Sequence, residues 1–167
     1  MRDIEEASDT FSGVYVGASF CQQALPGADE FSRMIEAAAA RGFSLHLATP
    51  VLSEMWLERA AALAEKLAAA APGSEVIAND IGFLCMIAEE FPGLVPVAGR
   101  VLAFQRTDPV APDLMEAAAH GEGAEWRQEA FMGVSVDNPG FARFLSAMGV
   151  KRLEIQNARQ GVRPAAE

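Results

Sequence analysis

The 167-residue chain has the length of a single domain, and its 51% hydrophobic and 22% charged residues exclude an intrinsically disordered protein. Its formal net charge of −10 disfavours nucleic acid as a partner, because an acidic surface repels a polyanion. The apolar runs are shorter than the roughly 20 residues that span a bilayer, which argues against a membrane partner. The acidic first residues lack the apolar segment of a signal peptide. The composition therefore predicts a cytoplasmic globular protein.

The first part of the chain predicts alternating helices and strands. Residues 2–10 are a candidate helix, and residues 13–20 (GVYVGASF) have the β-branched and aromatic character of a strand. Residues 28–41 carry apolar side chains at helical spacing, and Gly42 is a stop signal. Residues 43–49 (FSLHLAT) predict the next strand.

The alternation continues through the middle of the chain. Residues 53–71 predict a helix with Ser53 at its N-cap, and Glu75–Ala78 predicts a short buried strand. Residues 81–91 predict a helix, and residues 94–98 (LVPVA) predict another strand. Strands separated by helices are typical of a parallel sheet with right-handed crossovers.

The alternation breaks after the fourth strand. Residues 105–129 are polar and contain glycine and proline, which indicates a loop excursion with one short helix at 113–120. The remaining predicted elements are a strand at 131–136, a helix at 139–148 and a strand at 150–155. Residues 158–167 have no apolar periodicity and predict a flexible tail.

The predicted fold class is α/β, with residues 1–157 as one domain. We expect a partial TIM-like (β/α) barrel of parallel strands with about six strand–helix units, compared with the usual eight. A complete barrel needs at least ~200 residues, so this chain is expected to lack the first strand and the last two units. The alternative is an open doubly wound sheet, but neither GxGxxG nor GxxxxGK[ST] follows any strand.

Three strings resemble a known family in the order of its motifs. They are VYVGASFC at 14–21, EVIANDIGFLCMIAEEFPGLVPVAGRVLAFQRTDP at 75–109 and FARFLSAMGVKRLEIQN at 141–157. They are similar to the collagenase-like peptidase family U-32, and most of all to its branch for anaerobic ubiquinone hydroxylation. The resemblance implies an incomplete or modified (β/α) barrel. It also implies either a peptidase or an oxygen-independent hydroxylase of ubiquinone precursors, tRNA or ribosomal RNA.

The resemblance also implies a [4Fe–4S] cluster in complete members of the family. Cys21 matches the position of one cluster ligand, whereas Cys85 matches none, and the chain contains no other cysteine. One matched thiolate cannot hold such a cluster. We therefore expect no cofactor in the isolated chain. Without a secretory signal, the two cysteines are expected to be free thiols.

Polar residues follow several predicted strands, where the chemistry of barrels gathers. The candidate ligand pocket consists of Asn79, Asp80, Arg100 and Glu154. Asn79 and Asp80 have the alternative role of capping the next helix. Arg100 could bind a carboxylate or phosphate, or else pair with Asp80 or Glu154. The catalytic residues stay unassigned.

Three functions remain open at this point. The first is an iron–sulfur hydroxylase of the U-32-like type or its accessory subunit. The second is a catalytically incomplete binding or scaffold protein, and the third is a peptidase. No serine, cysteine or carboxylate lies at motif spacing from His46 or His120, and HExxH is absent. The expected partners are a second copy or a related-family protein, with a small-molecule substrate as a further candidate.

Overall fold

The computed structural model describes residues 11–105, 113, 132–156 and 161. Its strands are β1 (Gly13–Gly17), β2 (Ser44–Thr49), β3 (Glu75–Ala78) and β4 (Val95–Ala98). Its helices are α1 (Ala28–Ala40), α2 (Glu54–Ala70), α3 (Ile81–Glu90) and α4 (Pro139–Ala147). Short 3₁₀ helices cover Gln22–Ala24 and Ser135–Asp137. The predicted helices at 2–10 and 113–120 and the tail at 158–167 lie outside the described residues, apart from the single positions 113 and 161.

The four strands form one parallel sheet in the order β1-β2-β3-β4. This confirms the predicted adjacency and direction of the first four strands. A helix after each of β1, β2 and β3 returns the chain to the same end of the sheet, so the next strand runs parallel to the previous one. The carboxyl ends of all four strands therefore lie at one end of the sheet.

Helices cover one face of the sheet. Alternate strand residues, such as Val14, Leu47 and Val76, pack against buried side chains of the helices, such as Phe31 and Leu63. This alternation follows from the two-residue period of a strand. α1 packs against α2, α2 packs against α3, and α3 contacts β3 and β4. The large apolar core thus lies between the sheet and its helices.

β1 ends at a position that only glycine can occupy. Gly17 has a φ of 115°, and a Cβ atom at this position would lie 2.0 Å from the carbonyl oxygen of Ala48. The backbone of β1 can therefore approach β2 closely while the chain turns away into the loop that carries Ser19 and Phe20.

A fifth position of the sheet is filled by a short extended segment. The amide of Ala98 donates to the carbonyl of Arg152, and the amide of Glu154 donates to the carbonyl of Ala98. These bonds form an isolated parallel bridge between Ala98 and Leu153. Residues 152–154 thus continue the sheet beyond β4.

The sheet is strongly curved. Arg152, at the fifth position, donates hydrogen bonds to Tyr15 on β1 and to Glu75 on β3. In a flat sheet the first and fifth positions would be about 19 Å apart, given a spacing of about 4.8 Å between strands. Side chains from these positions meet only because the sheet bends toward the face opposite the helices. This curvature is consistent with a part of a TIM-like barrel.

The predicted count of about six strand–helix units is not reached in the described part of the chain. Of the strand predicted at 131–136, only Val134 forms a bridge, which is antiparallel to Gln105. The Asp137 carboxylate accepts the amide of Val134 at 2.7 Å, and the chain turns there into a 3₁₀ helix. Of the strand predicted at 150–155, only Leu153 forms a bridge.

No helix among the described residues is long and apolar enough to cross a bilayer.

Candidate functional site

The face of the sheet opposite the helices, here called the open face, carries two transverse rows of side chains. One row contains Gly17, Ala48, Ile77 and Val97, as the register of the strands requires. The last three of these form a small apolar cluster separate from the main core. The neighbouring row, closer to the amino ends of the strands, contains Tyr15, His46 and Glu75 on β1 to β3, and Val95 on β4. The open face therefore combines an apolar floor with a polar border.

The polar border is formed by Tyr15, His46, Glu75 and Arg152, here called the polar cluster. Tyr15 is paired with His46 in the register, and their rings stack with centroids 4.8 Å apart. The Tyr15 hydroxyl donates to Glu75, and Arg152 donates to both the Tyr15 hydroxyl and the Glu75 carboxylate. The guanidinium lies 5.9 Å from the centre of the Tyr15 ring. Four side chains from four separate segments thus make one connected network.

The hydrogen bonds of His46 fix its tautomer. The amide of Glu75 donates to Nδ1 at 2.9 Å, and an amide can only donate, so Nδ1 carries no proton. The neutral ring therefore has its proton on Nε2, which lies 3.0 Å from the Ser44 hydroxyl oxygen. That hydroxyl in turn donates to the carbonyl of Ser12 at 3.2 Å. His46 is thus held as a neutral ring whose two nitrogens both have partners.

The pKa values of His46, Tyr15 and Arg152 depart from their ordinary values. Burial lowers the pKa of His46, the negative Glu75 opposes this shift, and the positive Arg152 adds to it. Burial and the hydrogen bond to Glu75 raise the pKa of Tyr15. The hydrogen bond with Tyr15 raises the pKa of Arg152. At neutral pH Arg152 is therefore a cation, whereas the Tyr15 phenol and the His46 imidazole are neutral.

A cleft of about 560 Å³ lies over the open face. Its walls are β1 and the loop after it on one side, and the extended segment at the fifth position on the other. The lining residues are Tyr15, Gly17, Ala18, Ser19, Ala48, Ile77, Val97, Arg152, Leu153 and Glu154. This volume is within the range of small-molecule sites, which run from about 300 to 1,000 Å³.

A second contact crosses the open face at the carboxyl ends of the strands. The guanidinium of Arg100, which follows β4, lies 4.6 Å from the ring centre of Phe20, which follows β1. Nε of Arg100 is 3.9 Å from Oε2 of Glu154. Both atoms are buried and make no hydrogen bond among the described residues. Of the residues proposed for the ligand pocket, Glu154 lines the cleft and Arg100 adjoins it through Glu154.

Asn79 lies beneath this end of the sheet and is 1% exposed. Its Nδ2 donates to the carbonyl of Thr49 at 2.8 Å, and its Oδ1 accepts the amide of Val101 at 2.9 Å. Gly99 leaves room for this side chain, because a Cβ there would lie 2.3 Å from Oδ1. Asn79 therefore ties the end of β2 to the turn after β4.

Asp80 caps α3, the second role that the sequence left open for it. Its Oδ1 accepts the amide of Phe83 at 3.0 Å, and its Oδ2 lies 3.4 Å from the amide of Leu52. Both carboxylate oxygens are thus directed at backbone amides, and Asp80 does not line the cleft.

The two cysteines lie in different layers of the fold. Cys21 is exposed in the loop after β1, where its thiol lies 3.3 Å from Oε1 of Gln23. Cys85 is half-buried on α3. Within the described ranges, no group of three or more His, Cys, Asp or Glu side chains is arranged to hold a metal ion. The residues that are present thus do not fit a [4Fe–4S] cluster, which takes four thiolate ligands.

None of the four residues of the polar cluster was predicted from the sequence to be part of a site. A signal existed in the alternation of the strands, since Tyr15 and His46 both lie on the side away from the apolar core. Arg152 carried no such signal, because its role depends on the curvature that brings the fifth position toward β1.

No protein-family model matches the chain, and neither a curated protein nor a solved structure matches it. The resemblance to the U-32 family therefore rests on the strings at 14–21, 75–109 and 141–157 alone.

Proposed function

We propose that this chain is a U-32-like domain that binds a small aromatic substrate in the cleft and serves as an accessory subunit of an oxygen-independent hydroxylase. The observation that carries the proposal is the cleft itself, an apolar floor bordered by the polar cluster. Gly17 and Ala48 leave space above the sheet, and Ile77 and Val97 supply apolar contact. The resemblance of the sequence strings supplies the class of reaction.

The charges of the cleft favour a neutral ligand. Arg152 is paired with Glu75, and Arg100 lies near Glu154, so each cation at the cleft faces a carboxylate. An ionic ligand would have to compete with these pairs, whereas a neutral ring with one hydroxyl group would not. The polar cluster would orient such a hydroxyl, because Tyr15 and Arg152 present hydrogen-bonding groups at the border of the floor.

The cysteine content of this chain supports the accessory role. Two cysteines in one chain cannot supply the four thiolates of a [4Fe–4S] cluster, and Cys85 lies on a helix of the opposite layer. We expect the isolated chain to purify anaerobically without stoichiometric iron. Four irons per chain, lost in Cys21→Ser, would contradict the accessory assignment.

The peptidase alternative lacks an activated nucleophile among the described residues. Ser44 contacts His46, but the imidazole donates to this hydroxyl and cannot take its proton, because Nδ1 accepts the amide of Glu75. A serine hydrolase needs the opposite arrangement, in which Nε2 accepts from the serine.

The proposal is tested by titrating the chain with phenol and recording amide chemical shifts by NMR. We expect saturable shifts at Gly17, Ala48 and Ile77. Ala48→Leu should abolish them, because a leucine fills the space above the floor. Ala69→Leu, which adds the same side chain on the exposed surface of α2, is the matched control and should bind as the unmodified chain does. Unsaturable shifts, or equal binding by Ala48→Leu, would refute ligand binding in the cleft.

A further inference from the structure

The outer edge of β1 carries backbone groups that point away from β2. The carbonyl of Ser12 accepts the amide of Ser44, and the amide of Ala18 donates to the carbonyl of Ala48. The described peptide bonds are trans, so the two polar groups of each peptide point in opposite directions. The N–H of Gly13 and the C=O of Gly17 therefore face outward.

The same arrangement repeats every second residue along β1, because a strand in a parallel pair bonds to its neighbour through alternate residues. Val14 and Val16 direct their amides and carbonyls to β2, and the residues between them direct theirs outward. The outward row thus consists of both polar groups of Gly13, Tyr15 and Gly17. None of these groups has a hydrogen-bond partner within the part of the chain that the structure describes.

Within residues 11–105 and 132–156, this edge has none of the usual devices that prevent pairing with another chain. β1 contains no proline and no charged residue, and its three outward residues are two glycines and a tyrosine. The other edge of the sheet is less regular, because among the described residues only Leu153 of the extended segment forms a bridge to β4. The β1 edge can therefore form a ladder of several bonds.

The outward row is self-complementary. Tyr15 is the central residue of the five-residue strand, and the two glycines lie at equal distances on either side. We propose that β1 pairs with β1 of a second copy, antiparallel, about a two-fold axis midway between the two Tyr15 residues. Tyr15 then exchanges both its backbone bonds with the partner's Tyr15, and Gly13 exchanges both of its own with the partner's Gly17.

The same pairing affects the cleft. β1 forms one wall of the cleft, and Tyr15 projects onto the open face. In the dimer the two Tyr15 side chains become neighbours on that face, and the two open faces join into one surface. The glycines on either side of Tyr15 leave the edge free of other side chains there. This inference stands independently of the proposed substrate and reaction.

Two measurements on the unmodified chain test the pairing. Sedimentation equilibrium should show a concentration-dependent dimer of the 17.8 kDa chain. Amide hydrogen exchange should slow at Gly13, Tyr15 and Gly17 as the concentration rises through the dimerisation range. The amides of Val14 and Val16, already bonded to β2, are the internal control and should be protected at every concentration.

A cross-linking experiment tests the register. In a background of Cys21→Ser and Cys85→Ser, Tyr15→Cys should form an intermolecular disulfide, because directly opposite hydrogen-bonded residues have Cα atoms about 5.5 Å apart. Val14→Cys is the matched control and should not form one, since it lies opposite the partner's Val16 and faces the helices. A monomer at all concentrations would overturn the inference. So would a dimer whose outward amides exchange as fast as in the monomer, because its interface would lie elsewhere.

Discussion

His46 shows how a single side chain joins two strands of the open face. Its ring stacks on Tyr15 of β1, and its Nδ1 accepts the amide of Glu75 of β3. The ring can do both only while it is neutral at Nδ1, since an imidazolium would place a proton against the amide hydrogen. Burial disfavours the charged form further and lowers the pKa. The stability of the sheet is therefore coupled to the protonation of this residue.

We expect His46→Asn to flatten the dependence of stability on pH. The folded pKa of His46 is lowered, so on acidification below the unfolded value of about 6.5 the unfolded chain binds a proton before the folded chain does. The free energy of unfolding then decreases as the pH decreases, by at most about 1.4 kcal/mol per pH unit for one group. The asparagine side chain of the variant keeps an acceptor for the Glu75 amide but does not titrate.

Urea unfolding of both proteins between pH 7.5 and pH 5 measures the difference. His120 and the carboxylates are present in both proteins, so their contributions cancel to first order in the comparison. Parallel curves would contradict the coupling of His46 to folding.

Among the elements, α3 begins at a single capping residue, Asp80. Asp80 accepts the amide of Phe83 and lies close to the amide of Leu52, so it joins the start of α3 to the loop after β2. The rest of the helix is held by buried apolar side chains such as Phe83 and Leu84. A carboxylate at this position is fully explained by the unpaired amides of a helix start.

Asp80→Ala should lower the free energy of unfolding by about 1 kcal/mol, the usual cost of losing an N-cap. Asp80→Asn should cost less, because asparagine caps as well as aspartate does. Urea unfolding measures both changes. Phenol shifts in the cleft should be the same in Asp80→Ala as in the unmodified chain. Lost phenol binding with unchanged stability would instead assign Asp80 to the ligand.

The elements of the sheet were predictable because their signals are local. β1 to β4 each follow from a short, largely apolar run, and the intervening helices follow from helical periodicity and stop signals. The candidate site was less predictable. Asn79 and Asp80 lie at strand ends as expected, but their polar atoms bind the backbone. The polar cluster depends on curvature and register, which no local pattern encodes.

For the whole molecule, the bridge between Tyr15 and Arg152 holds the first and fifth positions of the sheet together. Glu75 completes the bridge from β3, so one guanidinium contacts two strands that are not neighbours. Arg152 is about half exposed, with 53% of its side chain accessible. Water therefore weakens its charge interactions, but the geometry of the bridge still depends on all three side chains.

A double-mutant cycle of Tyr15→Phe and Arg152→Met should give a coupling energy of about 1 kcal/mol. Residues in one hydrogen-bond network couple by about 0.5–3 kcal/mol, and partial exposure places this pair toward the lower end. Urea unfolding of the four proteins provides the measurement. Tyr15→Phe combined with Arg33→Met, a substitution on the exposed face of α1, is the control and should be additive. Additivity in both cycles would show that the bridge does not hold the curvature.

The bridge also has a consequence for biosynthesis. Tyr15 and Arg152 are separated by 137 residues, whereas each strand pairs with the next one along the chain. The sheet can thus assemble while the chain leaves the ribosome, but Arg152 follows Tyr15 by roughly 7 to 27 seconds at about 5–20 residues per second. During that interval the phenol and the Glu75 carboxylate face water without their cation. During this time the sheet of the nascent chain lacks the bridge to Arg152, and β1 is accessible to other binding partners.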